Sequence, residues 1–549
     1  MRAPAAFPAL TPPRALSSVT TSQRSARRQH TTRVLDLAVA AVLLVSVPVV
    51  LMLITGLLDM WLHHEESLLA VLSPDADAAA WTLALVGTSE GVAIAIVIVV
   101  VVLGIQLSAD RYSPRVIEIF IGDPLNTGVI ALFLGSIVYT IWISTEVKAD
   151  FVPYVGLYTS VALAFMDFSV LLPYLRHLFG IMRGEMIIGS VHHEASTALR
   201  TAFRTGGTLR LRHEFRESLD QLYDIVLGAG EERDTELCMS ALEVLRKLLV
   251  EEYIPNKPQL NQVWFRVGHE DMLGIAPEVI QEVDSTQTWV EYKVMSHLLS
   301  VIGETASFRK EVIHAIAGTT REIAVAAASR GQDEVVDLAI RFFNTYLRAA
   351  INQRAPTFGY AIMSEYRRLA TELGERKPEL TVVIAEHLLR YGHAFELGAM
   401  HSAAGTAAED VVDLTRNVAR KHPAAGAPMA AQLGRYVVEL KQGAHRSAFV
   451  GALNSVLKLA LEALAEGWEP VLDPLLAALR ELPPDEVDGT LDRMRTTVDW
   501  HFWEVSDRVT TFHYVAPELR ARIGDLNRRI REGSPEALRA TMHAHSPME

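Results

Sequence analysis

The chain has 549 residues, half of them hydrophobic, a formal net charge of −14 and a single cysteine, Cys238. That length calls for more than one structural unit, and one cysteine excludes an intrachain disulfide and cysteine-rich zinc motifs. The acidic balance argues against nucleic acid as a partner, because neutralising phosphates needs clustered Lys and Arg.

The charge is uneven along the chain: +6 over residues 1–33, −8 over 34–183 and −12 over 184–549. Residues 1–33 contain Arg but no acid and read as a disordered basic tail, with an organelle transit peptide as the alternative. Arginine outnumbers lysine 42 to 9 and alanine is abundant, which suggests a GC-rich bacterial genome and favours the plain tail.

Four apolar stretches follow, Leu37–Leu58, Gly91–Leu107, Pro124–Thr145 and Phe151–Leu175. A membrane-crossing helix needs about 20 such residues. The second stretch reaches that length if it begins near Trp81, which places Glu90 inside it. The first is too long for a signal-peptide core and no small-residue cleavage site follows it, so it reads as an anchor. We therefore expect a four-span transmembrane domain over 34–183. Arg24, Arg27, Arg28 and Arg33 precede the first span, and the 62–80 loop carries acids but no Lys or Arg. Arg111 and Arg115 lie in the next loop, and Arg176 and Arg183 follow the fourth span. The positive-inside rule then expects both termini in the cytoplasm, with the lipid bilayer of the inner (plasma) membrane as the first partner.

From Met182 onward the pattern changes to amphipathic helices. Val335, Leu338, Ala339, Phe342, Phe343, Tyr346, Leu347 and Ala350 form one helical stripe. Val290, Val294, Leu298 and Val301 form another, and Val450, Leu453, Leu457, Ala460 and Leu464 a third, with Gly467 as its stop. Asp234 and Ser285 are candidate N-caps, and Pro378 suits a first helical position. Breaks near 205–207, 228–232, 255–258, 330–332, 355–358, 374–378, 404–406, 422–427, 467–469 and 483–485 space the helices about 20–25 residues apart. With almost no strand signal and no exact repeat, the expectation is all-α. Four transmembrane helices would be followed by a membrane-proximal helix over 184–204, a cytosolic helical bundle or irregular α-solenoid over 205–535, and a frayed tail over 536–549.

Two carboxylates stand where bilayer helices disfavour them. Glu90, in Gly87-Thr88-Ser89-Glu90-Gly91, is expected near the outer end of the second span, where small neighbours let another helix approach. Asp167 is expected in the inner third of the fourth span, within reach of Arg111, Arg115 or Arg176. Each either lines an ion or proton path or makes a structural interhelical contact. Asp36 and Asp59, at span ends, read as interfacial. The Val92–Leu103 run is too uniformly apolar to line a wide aqueous pore. His63-His64-Glu65-Glu66 and His192-His193-Glu194 lack the i, i+4 spacing of zinc helices, and Cys238 among leucines reads as core. Trp500-His501-Phe502-Trp503 reads as an anchor of core or interface. Phosphate-binding, nucleophile-elbow and dinucleotide motifs are absent, so no cofactor, metal or enzyme activity is expected.

The segment from Gly104 to Arg115 contains Gln106-Leu107 and Arg111-Tyr112-Ser113-Pro114-Arg115, and Ala131–Tyr139 follows Gly122-Asp123-Pro124. Over residues 35–190 this resembles a family of bacterial predicted membrane proteins catalogued as a domain of unknown function. The resemblance implies four spans and a bacterial inner membrane, and no activity. On its own physics, Pro114 breaks the second helix and Arg111 and Arg115 can meet lipid phosphates. Gln106, Arg111, Ser113, Pro114 and Arg115 then form an interfacial elbow, the alternative being a plain loop.

The functional expectation is a homo-oligomeric membrane protein with a narrow ion or small-solute path, assembled or gated by its cytosolic domain. The alternative is a membrane-tethered scaffold or sensor whose helical array binds a cytosolic protein.

Overall fold

In this computed structural model, residues 50–61, 74–111, 123–181, 184–267, 275–304, 310–443, 445–499 and 513–532 are described. The chain divides into two compact units, Met1–Met186 and Ile187–Glu549. The described residues are helical, and the only strand-like pairing among them is an isolated bridge between Lys148 and Phe151.

The first unit is built from α1 (Val50–Trp61), α2 (Ala76–Arg111), α3 (Pro124–Glu146) and α4 (Tyr154–Ile181). Each of the last three is capped by an aspartate at its start. Asp75 Oδ1 accepts from the Ala78 amide at 2.8 Å, and Asp123 Oδ1 from the Leu125 amide at 3.1 Å. The cap of α4 comes from another helix: buried Asp59, in α1, accepts from the amides of Val155 at 2.7 Å and Gly156 at 3.0 Å. Asp59 is thus a structural cap, where the sequence pointed to an interfacial group; the N-terminal amides of a helix supply both its donors and a favourable dipole.

Trp81, Leu85, Val92, Ile96, Val99, Phe165 and Leu172 point outward, the arrangement expected of helices whose outer face meets lipid. Inside, two apolar clusters hold α2, α3 and α4 together. One joins Ala79, Leu83, Tyr139, Ile143 and Leu157, with Leu51 and Met52 of α1 against it. The other joins Ala93, Ile94, Val97, Val129, Phe133 and Tyr174. Their membership makes α3 antiparallel to both α2 and α4.

The second unit begins within α5 (Gly184–Thr205) and continues with α6 (Leu209–Glu231) and α7 (Thr235–Lys247). Then come α8 (Trp289–Glu304), α9 (Lys310–Ala328), α10 (Asp333–Asn352), α11 (Pro356–Gly374), α12 (Pro378–Leu397), α13 (His401–Lys421), α14 (Pro423–Gly443), α15 (Arg446–Glu466), α16 (Glu469–Glu481), α17 (Pro484–Thr496) and α18 (Ile523–Glu532). Between α8 and α16 each packs on the next and on the next but one: α9, α11, α13 and α15 form one layer, and α8, α10, α12, α14 and α16 the other. This is an α-solenoid. Lys310, Pro356, His401 and Arg446 open successive helices of one layer, 46, 45 and 45 residues apart. The period lives in helix length and turn placement, so the sequence shows no exact repeat.

The local devices follow the chain's chemistry. Pro356, Pro378, Pro423 and Pro484 stand in the first turns of their helices, where a missing N–H costs nothing. Gly467 ends α15 at φ 69°, a conformation that glycine adopts freely. Asp234 caps α7 through the Leu237 amide. Two expectations differ. Ser285 ends its helix rather than starting one, and 404–406 lies inside α13. Gly405 there is a crossing point: a Cβ on Gly451 would lie 3.3 Å from its Cα. α15 is long and apolar enough to cross a membrane, but Ala452, Leu453, Val456, Leu457 and Ala460 are fully buried by neighbouring solenoid helices. It is core.

Candidate functional site

Glu90 in α2, Ser136 and Thr140 in α3, and Asp167 in α4 are all essentially inaccessible to solvent. Ser136 and Asp167 lie near the middle of their helices, and antiparallel packing brings Glu90 to the same level. In helices, serine and threonine hydroxyls ordinarily bond back to a carbonyl one turn earlier. Thr55, Thr88, Ser160 and Ser169 of this unit do so. Ser136 instead donates across to Glu90 Oε1 at 2.5 Å. Thr140 stands beside the Glu90 carboxyl, yet its hydroxyl completes no hydrogen bond.

Asp167 approaches both Glu90 and Ser136, but neither of its carboxylate oxygens completes a hydrogen bond, and Glu90 Oε2 has none either. Two carboxyls thus face each other in an apolar interior. Two unit charges 4 Å apart repel by about 4 kcal/mol even at an effective dielectric of 20, and desolvating each ion adds several kcal/mol. Such a pair is stable when it shares a proton or holds a cation. The two apolar clusters described above lie one on each side of it along the helices, so the site is closed at both ends.

The arrangement differs from what the sequence suggested in depth and in partner. Glu90 is not near a helix end. Asp167 makes no ion pair with Arg176, whose side chain is exposed. Among the elbow residues, Gln106 is exposed near the end of α2, and Arg111 closes that helix. Ser113, Pro114 and Arg115 lie outside the described residues, as do Asp36, His63–Glu66 and Trp500–Trp503. Ser136 and Thr140 were not singled out from sequence. Their signal is an i, i+4 hydroxyl pair near the middle of an apolar span.

Residues 35–227 match the model of the family described as predicted membrane protein (DUF2254). The match bears out the resemblance read from the Gln106–Arg115 segment, and the region holds four apolar helices. No curated protein and no solved structure matches the chain.

In the second unit the other candidates resolve as structural. Cys238 is fully buried, and burial together with Asp234 pushes its thiol up to about 12. His192 lies 3.4 Å from Glu252, which also accepts from Ser196 at 2.7 Å. His193 is exposed. No group of three metal-ligating side chains occurs among the described residues.

Proposed function

We propose that the first unit carries a narrow path for a small cation, with Glu90 and Asp167 as its central site. The reading rests on one observation: two fully buried carboxyls face each other with no basic side chain between them. A bundle that served only as an anchor would gain stability by replacing them. The four side chains of the site come from one chain, so the path runs through the protomer rather than between protomers. Assembly of several copies and gating by the solenoid are further parts of the proposal, and neither requires an enzymatic step. The flanking arginines support a multi-pass arrangement in a bacterial inner membrane with both termini in the cytoplasm.

Flux measurements in liposomes test this. The wild type is expected to pass protons or a small monovalent cation, and Glu90→Gln or Asp167→Asn to abolish the flux without loss of folding. Leak equal to that of empty vesicles, across pH and voltage, overturns it. A second reading, a tethered scaffold, is favoured by the two-layer solenoid, an architecture that presents an extended surface to protein partners. A cellular phenotype intact in the Glu90→Gln, Asp167→Asn double variant would favour the scaffold over the path.

A further inference from the structure

The chemistry of the carboxyl site goes further, to what occupies it and from which end it is reached. Ser136 uses its hydroxyl hydrogen on Glu90 Oε1. In a metal site the serine oxygen and the carboxylate would both turn lone pairs to the ion, and that hydrogen would point away. The four carboxylate oxygens meet one committed hydroxyl donor and a second, Thr140, poised beside Glu90. What the site lacks is a third hydrogen, between Glu90 and Asp167. A single proton supplies it and lowers the charge of the pair from −2 to −1.

The two apolar layers that close the site are unequal. In the layer toward the start of α4, the Tyr139 hydroxyl is tied to Thr55 Oγ1 at 2.9 Å, and Asp59 beyond it is committed to the Val155 and Gly156 amides. Glu146, at that end of α3, accepts from Trp142 Nε1 at 2.9 Å. In the opposite layer, Tyr174 is buried and its hydroxyl makes no hydrogen bond. Tyr174 lies within electrostatic reach of Asp123, and Asp123 Oδ2 is 2.8 Å from His177 Nε2. His177 is half-exposed, with 38% of its side chain accessible, and exposed Arg176 is its neighbour. The helices packed around the site also carry Asp77, Tyr154 and Tyr158 toward the first of these ends, and Asp110 and Arg111 at the end of α2. One end is sealed by satisfied hydrogen bonds, and the other offers an unsatisfied hydroxyl next to the Asp123–His177 hydrogen bond.

We propose that Glu90 and Asp167 share one exchangeable proton, admitted from the Asp123–His177 end past Tyr174. This rests on the reading of the carboxyl pair as a cation site. The step is a transfer only: a proton leaves a hydronium, which becomes water, and forms an O–H bond on one carboxylate, which then hydrogen-bonds the other. Tyr174 and His177 are positioning residues for that transfer.

Infrared difference spectroscopy on the full chain in lipid nanodiscs tests it without measuring flux. Lowering the pH should produce a protonated-carboxyl C=O band that shifts in deuterium oxide and disappears in Glu90→Gln and in Asp167→Asn. Its midpoint should be the same in sodium and choline chloride. After a pH jump, Tyr174→Phe and His177→Gln should slow the band's appearance by about tenfold or more while leaving its midpoint unchanged, and Tyr139→Phe should not slow it. A missing band, a midpoint that moves with sodium against choline, or equal rates in all three variants overturns the proposal. A titrating band in a protein that passes no ions would leave the proton site standing and remove only the path.

Discussion

The two units bury carboxylates in opposite ways. The solenoid buries four among its described residues, and each has a cation or an N–H group against it. Glu291 accepts from Lys257 Nζ at 2.7 Å, and Glu365 from Arg321 Nε at 2.7 Å, with Arg368 and His314 also in contact. Asp410 lies 3.2 Å from Arg367, and Glu396 takes the His445 amide at 2.6 Å and His401 Nδ1 at 2.7 Å. Burial alone would push the Glu365 carboxyl up, but His314 and Arg321 hold it down at about 2. In the membrane unit Asp59 has its two amides, whereas Glu90 and Asp167 have each other. A stack that gains only by staying folded pairs its charges as it buries them. The acids at the centre of the bundle have no cation or N–H group against them, and this contrast is what supports the proposed path.

Substitution should break this symmetry most strongly at Lys257. Lys257→Ala strands Glu291 in the core and is expected to cost about 3–5 kcal/mol, whereas Lys257→Met with Glu291→Leu should come near the wild type. Glu90→Gln should do the reverse and stabilise the bundle by roughly 1–3 kcal/mol, because it relieves a buried group with an unmet oxygen. Hydrogen exchange resolved on Trp289–Glu304 and on Ala76–Arg111 separates the two effects. Loss of stability in Glu90→Gln with no local unfolding in Lys257→Ala would erase the contrast.

A second effect sharpens it with a base. His297 stacks on Tyr223 with ring centres 4.2 Å apart. Burial, reinforced by Lys293 and opposed by Asp220, holds its imidazole down at about 4 against an ordinary 6.5. As pH falls, the unfolded chain takes up this proton first, so stability is lost from pH 6.5 down to about pH 4, by up to ~3 kcal/mol. His297→Phe should remove that part of the acid slope in denaturant titrations at fixed pH. An unchanged slope would place the acid sensitivity elsewhere.

The smallest effect compares tight helix contacts in the two units. A Cβ on Gly392 would lie 2.6 Å from Ala407 Cβ and 2.7 Å from the Tyr436 hydroxyl, which is held by the Ala404 carbonyl at 3.0 Å. Gly392→Ala should therefore cost about 1–3 kcal/mol. A Cβ on Gly156 would meet Cδ1, Cγ2 and Cγ1 of buried Ile143 at 2.8, 3.1 and 3.2 Å, a single side chain rather than contacts from two helices, so Gly156→Ala should cost less, about 1 kcal/mol. Thermal unfolding of each variant in detergent gives the order, and the reverse order would show the bundle to be the stiffer unit.

Much of this was legible in the chain itself. Hydropathy marks the four apolar stretches because a bilayer imposes a length and excludes charge whatever the neighbours are. Proline and glycine mark most helix boundaries, such as Pro378 and Gly467, because their backbone restrictions act locally. Glu90 and Asp167 stand out as anomalies for the same one-dimensional reason. Which groups meet was decided by tertiary structure. Packing α3 antiparallel to α2 and α4 sets Glu90 level with Ser136 and Asp167, although 46 and 77 residues separate them along the chain. It turned two separately read acids into one site. It also drew in Ser136 and Thr140, whose hydroxyls would otherwise return to their own helix. The 45-residue register of the solenoid has the same origin. Helix length and turn placement carry it, while the side chains vary as long as each layer stays filled.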